Sequence, residues 1–417
     1  MASDAFALSV VMPTRNQAPF IRSAVHSVLA QDEVRELVIA DGASSDGTPA
    51  ILDELAQSHP GRVRWLSQPD AGPADAVNQA VERARGDVIG WLNSDDLYTP
   101  GAAARALQAF AAHPGCVLVY GEGEHVDEQG THLERYPTRG PDTPLAAWAD
   151  GCPVCQPTAF FRRDAFLALG GLDTTLRTAF DYEFWLRVWK QHAGQIAFVP
   201  QVQAQSRLHA GGITLRMREQ VAMEGLQVVH RHVGAAPVHW LLTYASEALG
   251  PCPFDADPAR VRTQLQALAE QARDWLVEGG VNEFRQRLAA HRGWQLARSG
   301  FVADVHADGW AAPLAALRLK QPQQPWRRLK LWGRHASPRG GPLRLALVEA
   351  EGRLLWQGGA SAQGPFSVVL PLPASTPGEA LRLTLRSETH FVPADSDARS
   401  TDRRALAYQI DAIELLP

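Results

Sequence analysis

Short apolar runs and segments with apolar residues at helical spacing alternate along the first hundred residues. Ala7 to Met12 is an apolar run closed by Pro13, and Ile21, Val25, Val28 and Leu29 then recur every three or four positions. Leu37 to Ala40 forms the next run and stops at Asp41-Gly42. The cycle repeats with a helix after Thr48, a strand around Val63 to Leu66, a helix from about Ala74 to Arg85 and a strand at Val88 to Leu92. This alternation predicts parallel strands joined by crossover helices.

In such sheets ligands sit beyond the carboxyl ends of the strands. Polar clusters stand at those ends here: Pro13-Thr14-Arg15-Asn16 after the first strand, Asp41 after the second, Asp70 after the third, and Asn93 to Asp96 after the fourth. Each cluster alone also reads as a solvated turn, with Asp46-Gly47 a turn and Thr48 a helix N-cap. Four such clusters together point to one converging edge.

The pattern changes twice downstream. From about Ala236 to Gly300 it is helical, with Leu265, Leu268, Trp275 and Leu276 roughly on one face. Past Val305 it has period two: Leu343, Leu345 and Leu347 alternate with Arg344 and Ala346, and Leu381, Leu383 and Leu385 with Arg382 and Thr384. That predicts an antiparallel β-sandwich. The expected partition is therefore residues 1–235, a helical connector over 236–304, and a β-domain over 305–417.

Forty basic against forty-five acidic side chains give a net charge of -5, so no global basic field argues for nucleic acid, and any membrane contact would be local. The chain shows no signal peptide and no apolar run near the roughly 20 residues needed to span a bilayer. Cys116, Cys152, Cys155 and Cys252 are too few and too scattered for a disulfide framework, which fits a reducing cytoplasm. Cys152 and Cys155 form a lone C-x-x-C without two further ligands at zinc spacing, and read as small buried side chains.

The strand Val88 to Leu92 runs into Asn93, Ser94 and two adjacent carboxylates, Asp95 and Asp96. Two like charges in one pocket repel unless a positive charge joins them. Mn²⁺ or Mg²⁺ would serve, since each takes oxygen ligands and commonly fills its sphere with one or two carboxylates, phosphate oxygens and water. A diphosphate is a natural co-ligand. Asp is also common in turns, which is the plainer account of the same residues.

The stretches LSVVMPTRN, LVIADGASSDGT, QPDAGPADAVNQAVERARGDVIGWLNSDD and TAFDYEFWLRV occur in this order. Together they resemble the family 2, inverting, nucleotide-sugar glycosyltransferases of the GT-A fold, over roughly Ala7 to His230. The resemblance implies an α/β domain with a mostly parallel sheet and helices on both faces. It implies that Pro13, Thr14, Arg15 and Asn16 lie against the donor nucleotide and that Asp41 hydrogen-bonds its base. Asp70 through Asp75, with Gly72 between them, resembles the loop closing over the nucleotide, and Asn78 sits in the supporting helix.

The family's D-x-D metal motif is matched by Asn93-Ser94-Asp95, with Asn in place of the first acid. Position 93 then suits a ribose or water contact, with Ser94 beside it on the donor, while Asp95 and Asp96 keep the negative charge. His209, in RLHAGGIT, resembles a histidine that completes the metal or diphosphate site. Asp181 resembles the catalytic base, although Phe180 stands where the family usually carries an acid. Read from residues alone, Thr178 to Asp181 is a capping box, and an acid in a first helical turn is favoured by the helix dipole. Gln156, Pro157 and Thr158 fall where the family lines its acceptor pocket.

In the C-terminal part, ADGW from Ala307, SETHFVPAD and STDRRALAYQI are similar to an accessory β-domain of some bacterial polysaccharide glycosyltransferases. Trp332, Trp356 and the basic run Arg327, Arg328 and Lys330 could touch glycan or lipid head groups, or could be core tryptophans and solvated strand charges.

The expected function is metal-dependent, inverting transfer of a sugar from a nucleoside diphosphate to a glycan or lipid-linked saccharide acceptor in bacterial polysaccharide synthesis. The expected setting is the cytoplasm, with room for peripheral association at the inner membrane face. Two alternatives remain open: a catalytically silent glycan-binding scaffold, and a nucleotidyltransferase on a similar sheet. The latter needs a basic loop after the first strand, where only Arg15 is present. A dinucleotide oxidoreductase is disfavoured because no G-x-G-x-x-G follows that strand.

Overall fold

The computed structural model describes residues 6–249, 258–290, 301–302, 305–306, 308–320, 325–338, 340–349, 352–375, 380–397, 400 and 402–417. Cys252, Ala307 and Thr401, named above, lie outside them. The chain divides into two compact units, Met1–Pro237 and Val238–Pro417.

The first unit begins as the apolar pattern predicts: β1 (Leu8–Thr14), α1 (Ile21–Leu29), β2 (Val34–Asp41), α2 (Thr48–Ser58), β3 (Val63–Ser67), α3 (Pro73–Arg83) and β4 (Val88–Trp91). Every residue of β1 and β4 is buried, as expected for strands covered on both faces. In α1 the buried residues Ile21, Ala24, Val25 and Val28 form one stripe toward the core. There follow β5 (Leu97–Tyr98), α4 (Ala102–Ala112), β6 (Leu118–Val126), β7 (His132–Arg135), β8 (Phe160–Arg162), α5 (Arg163–Ala168), α6 (Phe180–Gln191), β9 (Ile196–Arg207), α7 (Ile213–Arg216) and α8 (Arg218–His232).

These strands form one sheet in the order β3-β2-β1-β4-β8-β6-β9-β5, with β7 on the side of β6. The pairs β1–β2, β2–β3, β1–β4 and β6–β9 are parallel, whereas β8 runs against β4 and β6, and β5 against β9. The result is an α/β, GT-A-like sheet. Its register matters for the site. Thr14 pairs with Asp41, and Asp41 with Ser67, so the first three strands end level with one another.

The second unit starts with α9 (His239–Leu249), α10 (Pro258–Gln271) and α11 (Gly280–Ala290). Leu265 is buried on α10, but Trp275 and Leu276 lie past its end, because the chain leaves the helix in a turn closed by the Trp275 N–H on the Ala272 carbonyl. Two antiparallel sheets follow. One has the order β10-β12-β17-β14-β15 and the other β11-β18-β13-β16, where β10 is Phe301–Val302, β11 Trp310–Ala311, β12 Leu314–Lys320, β13 Arg328–His335, β14 Leu343–Glu349, β15 Leu354–Ala360, β16 Gly364–Pro371, β17 Ala380–Ser387 and β18 Tyr408–Leu416.

Leu317, Leu345 and Leu383 from the first sheet share a core with Leu331, Leu370 and Ile410 from the second, which makes a sandwich. Trp356 packs against that core. Trp332 stands half-buried with the Lys330 ammonium 4.5 Å from its ring centre. No helix among the described residues is long and apolar enough to cross a membrane.

Candidate active site

The loops after β1, β2 and β3 are bound to one another. Gly42 donates its N–H to the Thr14 carbonyl, Asn16 donates its own to Ser44 Oγ, and Asn16 Oδ1 accepts from the Ser45 N–H. Asn16 holds a left-handed backbone, φ 55°, a conformation that Asn tolerates better than most residues. Asp41 is buried and accepts from Ser44 and, at 2.6 Å, from Ser67 Oγ. The Thr14 hydroxyl is buried and has no protein partner.

Asp70 reaches the same edge. A Cβ on Gly42 would stand 2.5 Å from Asp70 Oδ2, so the absence of a side chain there is what lets the carboxylate approach β2. Burial holds the Asp70 carboxyl above its ordinary range, partly offset by the Gly72 N–H on Oδ1 and by Arg15. Asp75, in the first turn of α3, accepts from the Ala71 N–H and from Gln79. Gly72 has φ 126°, which few side-chain-bearing residues adopt, and its bare Cα leaves room for the Arg177 guanidinium. That guanidinium donates to the Ala71 carbonyl. Asn78 pins the segment before α6 by exchanging two hydrogen bonds with the backbone of Leu172.

After β4 the chain makes a tight turn, with the Asp96 N–H on the Asn93 carbonyl at 3.2 Å. The turn sends the two carboxylates apart. Asp96 points inward, 3% exposed, and accepts from the Arg207 N–H at 2.8 Å and from Asn93 Nδ2 at 3.3 Å. Its burial, together with Asp95 beside it, pushes its pKa well above the usual range. Asp95 instead meets His209 Nε2 at 2.9 Å.

Arg207, at the end of β9, ties the turn down: Nε donates to the Asp95 carbonyl and the guanidinium to the carbonyls of Asp127 and Glu128. Phe20, from the loop before α1, lies against both His209 and Arg207, which joins the first loop to the end of β9.

Asn93 is wholly engaged by protein. Its amide donates to Gln156 Oε1 at 2.8 Å and accepts from Trp91 Nε1 at 3.1 Å, while Gln156 Nε2 donates to the Trp91 carbonyl. Thr158 is fully buried, its hydroxyl donating to the Cys155 carbonyl and accepting from the Gly121 N–H. Its hydroxyl is therefore spent on backbone, and Ser94 is likewise buried in the turn after β4.

Asp181 lies in the first turn of α6 and is partly exposed. Burial pushes its pKa up to about 6, against the N–H groups of Tyr182 and of Asp181 itself. The expected capping box does not form. Ala179 is the N-cap, and Thr178 Oγ1 is drawn away to Glu224 of α8. The Glu224 carboxylate accepts from the N–H groups of Arg177, Thr178 and Ala179 at 2.8 to 3.0 Å, and from Gln220. Glu183, one position past Tyr182, is spent on Arg187 and His232.

The head of α6 packs against the end of β4. Phe180 stacks on Trp91, and the Cys155 thiol, pushed up by its burial, is pushed further by Asp96, Cys152 and Asp181 around it.

Asp95 and His209 suit a divalent cation as a hard oxygen and an imidazole nitrogen, with phosphate and water oxygens completing the sphere. Among the described residues no group of three or more His, Cys, Asp or Glu side chains converges as a ligand set. Sequence reasoning missed Glu224, Arg207 and Arg177; none carries a local signal, because each acts on a segment 45 or more residues away.

Residues 9–170 match the model of Glycosyl transferase family 2. The matched segment carries all four strand-end loops. Relatives include a chondroitin synthase of Escherichia coli, 30% identical over 184 residues, covering 43% of this chain and 26% of that one. A hyaluronan synthase of Pasteurella multocida is 35% identical over 125 residues, covering 30% of this chain and 13% of its own. An uncharacterized glycosyltransferase of Rickettsia felis is 24% identical over 217 residues, covering 49% and 34%. This chain thus spans about a third or less of the length of these three relatives.

Among solved structures, S. aureus TarS 1-349 in complex with UDP-GlcNAc has 16% identity and a TM-score of 0.48, covering 70% of this chain and 87% of its own. A mannosyltransferase of Pyrobaculum calidifontis in complex with GDP-Man and Mn2+ has 22% identity and a TM-score of 0.44, covering 70% and 82%.

Proposed function

We propose that this protein is an inverting glycosyltransferase that moves a sugar from a nucleoside diphosphate to the hydroxyl of a glycan or lipid-linked saccharide, assisted by Mn²⁺ or Mg²⁺. One observation carries the reading. Asp181, with a pKa raised to about 6, stands at the head of α6, whose first residue, Phe180, packs on the strand that delivers Asp95. In this reading Asp181 is the proton acceptor and Asp95 belongs to the diphosphate anchor. The family match over residues 9–170 supports it.

The chemistry follows from the residues. The strand-end loops bearing Pro13 to Asn16, Asp41 and Asp70 to Asp75 hold the nucleotide, and the buried Thr14 hydroxyl has hydrogen-bonding capacity to give it. Asp95 and His209 would hold the cation, which when bound stabilises charge developing on the departing diphosphate. Asp181 takes the acceptor proton as the acceptor oxygen attacks the anomeric carbon from the side opposite the diphosphate. A single displacement inverts that centre. The low polarity that raises the Asp181 pKa also makes it a stronger base near neutral pH than an exposed aspartate.

The chondroitin and hyaluronan synthase relatives support a polysaccharide product. In this reading the protein works in the cytoplasm, alone or at the inner membrane face, and the second unit, as a helical connector over 236–304 and a β-sandwich over 305–417, assists acceptor binding or assembly. The test is a thermal-shift panel of UDP, GDP, dTDP and CDP with and without Mn²⁺, followed by hydrolysis of the matching nucleotide sugars. Selective, metal-dependent stabilisation with slow release of nucleoside diphosphate is the expected result. No stabilisation by any of the four, together with no turnover, would sink it.

A further inference from the structure

The segment Arg177 to Ala179 leads into α6 and delivers Asp181. It is gripped from two directions. On one side the Glu224 carboxylate, 8% exposed, gathers three consecutive backbone N–H groups and the Thr178 hydroxyl. Burial alone would raise the Glu224 pKa, but these donors outweigh it, so the group stays charged. Gln220, one turn earlier on α8, donates to Oε1 and holds the side chain in place.

On the other side the Arg177 guanidinium reaches back to the Ala71 carbonyl, in the loop between Asp70 and Pro73. Gly72 makes that reach possible, since a Cβ there would stand 2.9 Å from the Arg177 guanidinium nitrogen. One residue is therefore fixed through its backbone to α8 and through its side chain to the loop after β3. A carboxylate accepting several N–H bonds is a rigid anchor, and charge-assisted bonds are about twice as strong as neutral ones.

From this double grip we propose that Arg177 and Glu224 are positioning residues that couple the Asp70 to Pro73 loop to Asp181, so that seating a nucleotide under the loop stiffens the turn that aims the base. The proposal rests on the reading of the site given above. Glu224 acts as the fixed post, and Arg177 carries the movement of the loop to the head of α6. Neither touches the reacting atoms. Both act through the placement of Asp181, which a displacement of about 1 Å can make ineffective.

The test is backbone hydrogen exchange on the full chain, with UDP, GDP, dTDP and CDP each at saturating concentration with Mn²⁺. In the wild type, a nucleotide that binds is expected to slow exchange severalfold at the amides of Arg177 to Tyr182. In Arg177→Met, which keeps most of the side-chain bulk, the same nucleotide still binds but that slowing is lost. In Glu224→Gln, exchange at residues 177 to 179 rises without nucleotide, and kcat for donor hydrolysis falls about tenfold while KM changes less than twofold.

A nucleotide that binds the wild type without protecting this segment, or protection that survives in Arg177→Met, would overturn the coupling and leave the transferase reading intact. Unchanged kcat in Glu224→Gln would remove Glu224 from it. If none of the four nucleotides binds, the transferase reading falls and takes the coupling with it.

Discussion

Phe180 lies against Trp91 with ring centroids 6.0 Å apart and planes 25° from parallel. The contact joins the residue before Asp181 to the last residue of β4, whose carbonyl and indole N–H in turn hold Gln156 and Asn93. It gives a physical reason for an apolar side chain at a position where the resemblance to the family leads one to expect an acid. A carboxylate there would be buried against an indole with its charge unpaired.

Replacing Phe180 with Ala removes this stack from a site that is 6% exposed. The expected cost is about 3–5 kcal/mol of stability, read by urea denaturation. Transfer is expected to fall more than nucleotide affinity, because the lost packing lies between the end of β4 and Asp181. An equal loss of both would place the ring's role in general folding alone.

Asp181→Asn is expected to abolish transfer while leaving nucleotide binding nearly intact. The wild-type rate should rise with pH through a midpoint near 6, set by the raised Asp181 pKa, and flatten above it. The stability consequence has the opposite sign. A carboxyl whose folded pKa exceeds its unfolded value stabilises the fold fully below the unfolded pKa, and that contribution is lost as pH rises through about 6. Asp181→Asn should therefore melt a few degrees higher than wild type at pH 7.5, with little difference at pH 4. An active Asn variant would refute the assignment.

His209→Ala is expected to weaken Mn²⁺ binding by about tenfold or more, measured by titration in the presence of nucleoside diphosphate. The variant leaves Asp95 without its imidazole partner at 2.9 Å. Mn²⁺ affinity equal to wild type would show that His209 serves only to pin the acidic turn.

Gly42→Ala places a methyl group 2.5 Å from Asp70 Oδ2 and forces the carboxylate away from β2. Nucleotide affinity is expected to drop about tenfold, by calorimetry with the best-binding nucleoside diphosphate, with a much smaller change in melting temperature. If affinity holds, Asp70 takes no part in the donor site.

Much of this architecture is legible in the chain. The runs around Val10, Val38 and Val88 stop within two residues of the ends of their strands, because a buried strand gives way to loop where polar residues take over. The four polar strand ends follow from that. The reversed strands do not: β5 is two residues long and owes its place to the pairing of Leu97 with Gln205, more than a hundred residues on. Such pairings leave no local periodicity.

The capping box at Thr178 was readable and yet absent, since Glu224 offers three backbone amides a charged partner and the hydroxyl follows it. The adjacent pair Asp95 and Asp96 looked like one charged cluster. A turn of four residues divides it into a buried structural acid and a partner for His209.

Cys155 shares the neighbourhood of Asp96 and Asp181, and Cys152 that of Asp181; burial and these carboxylates hold both thiols well above their ordinary pKa. The thiolate, not the thiol, is the nucleophilic form of cysteine, and this environment disfavours it. The burial that raises the Asp181 pKa to about 6 thus also keeps the two cysteines near it in their thiol form.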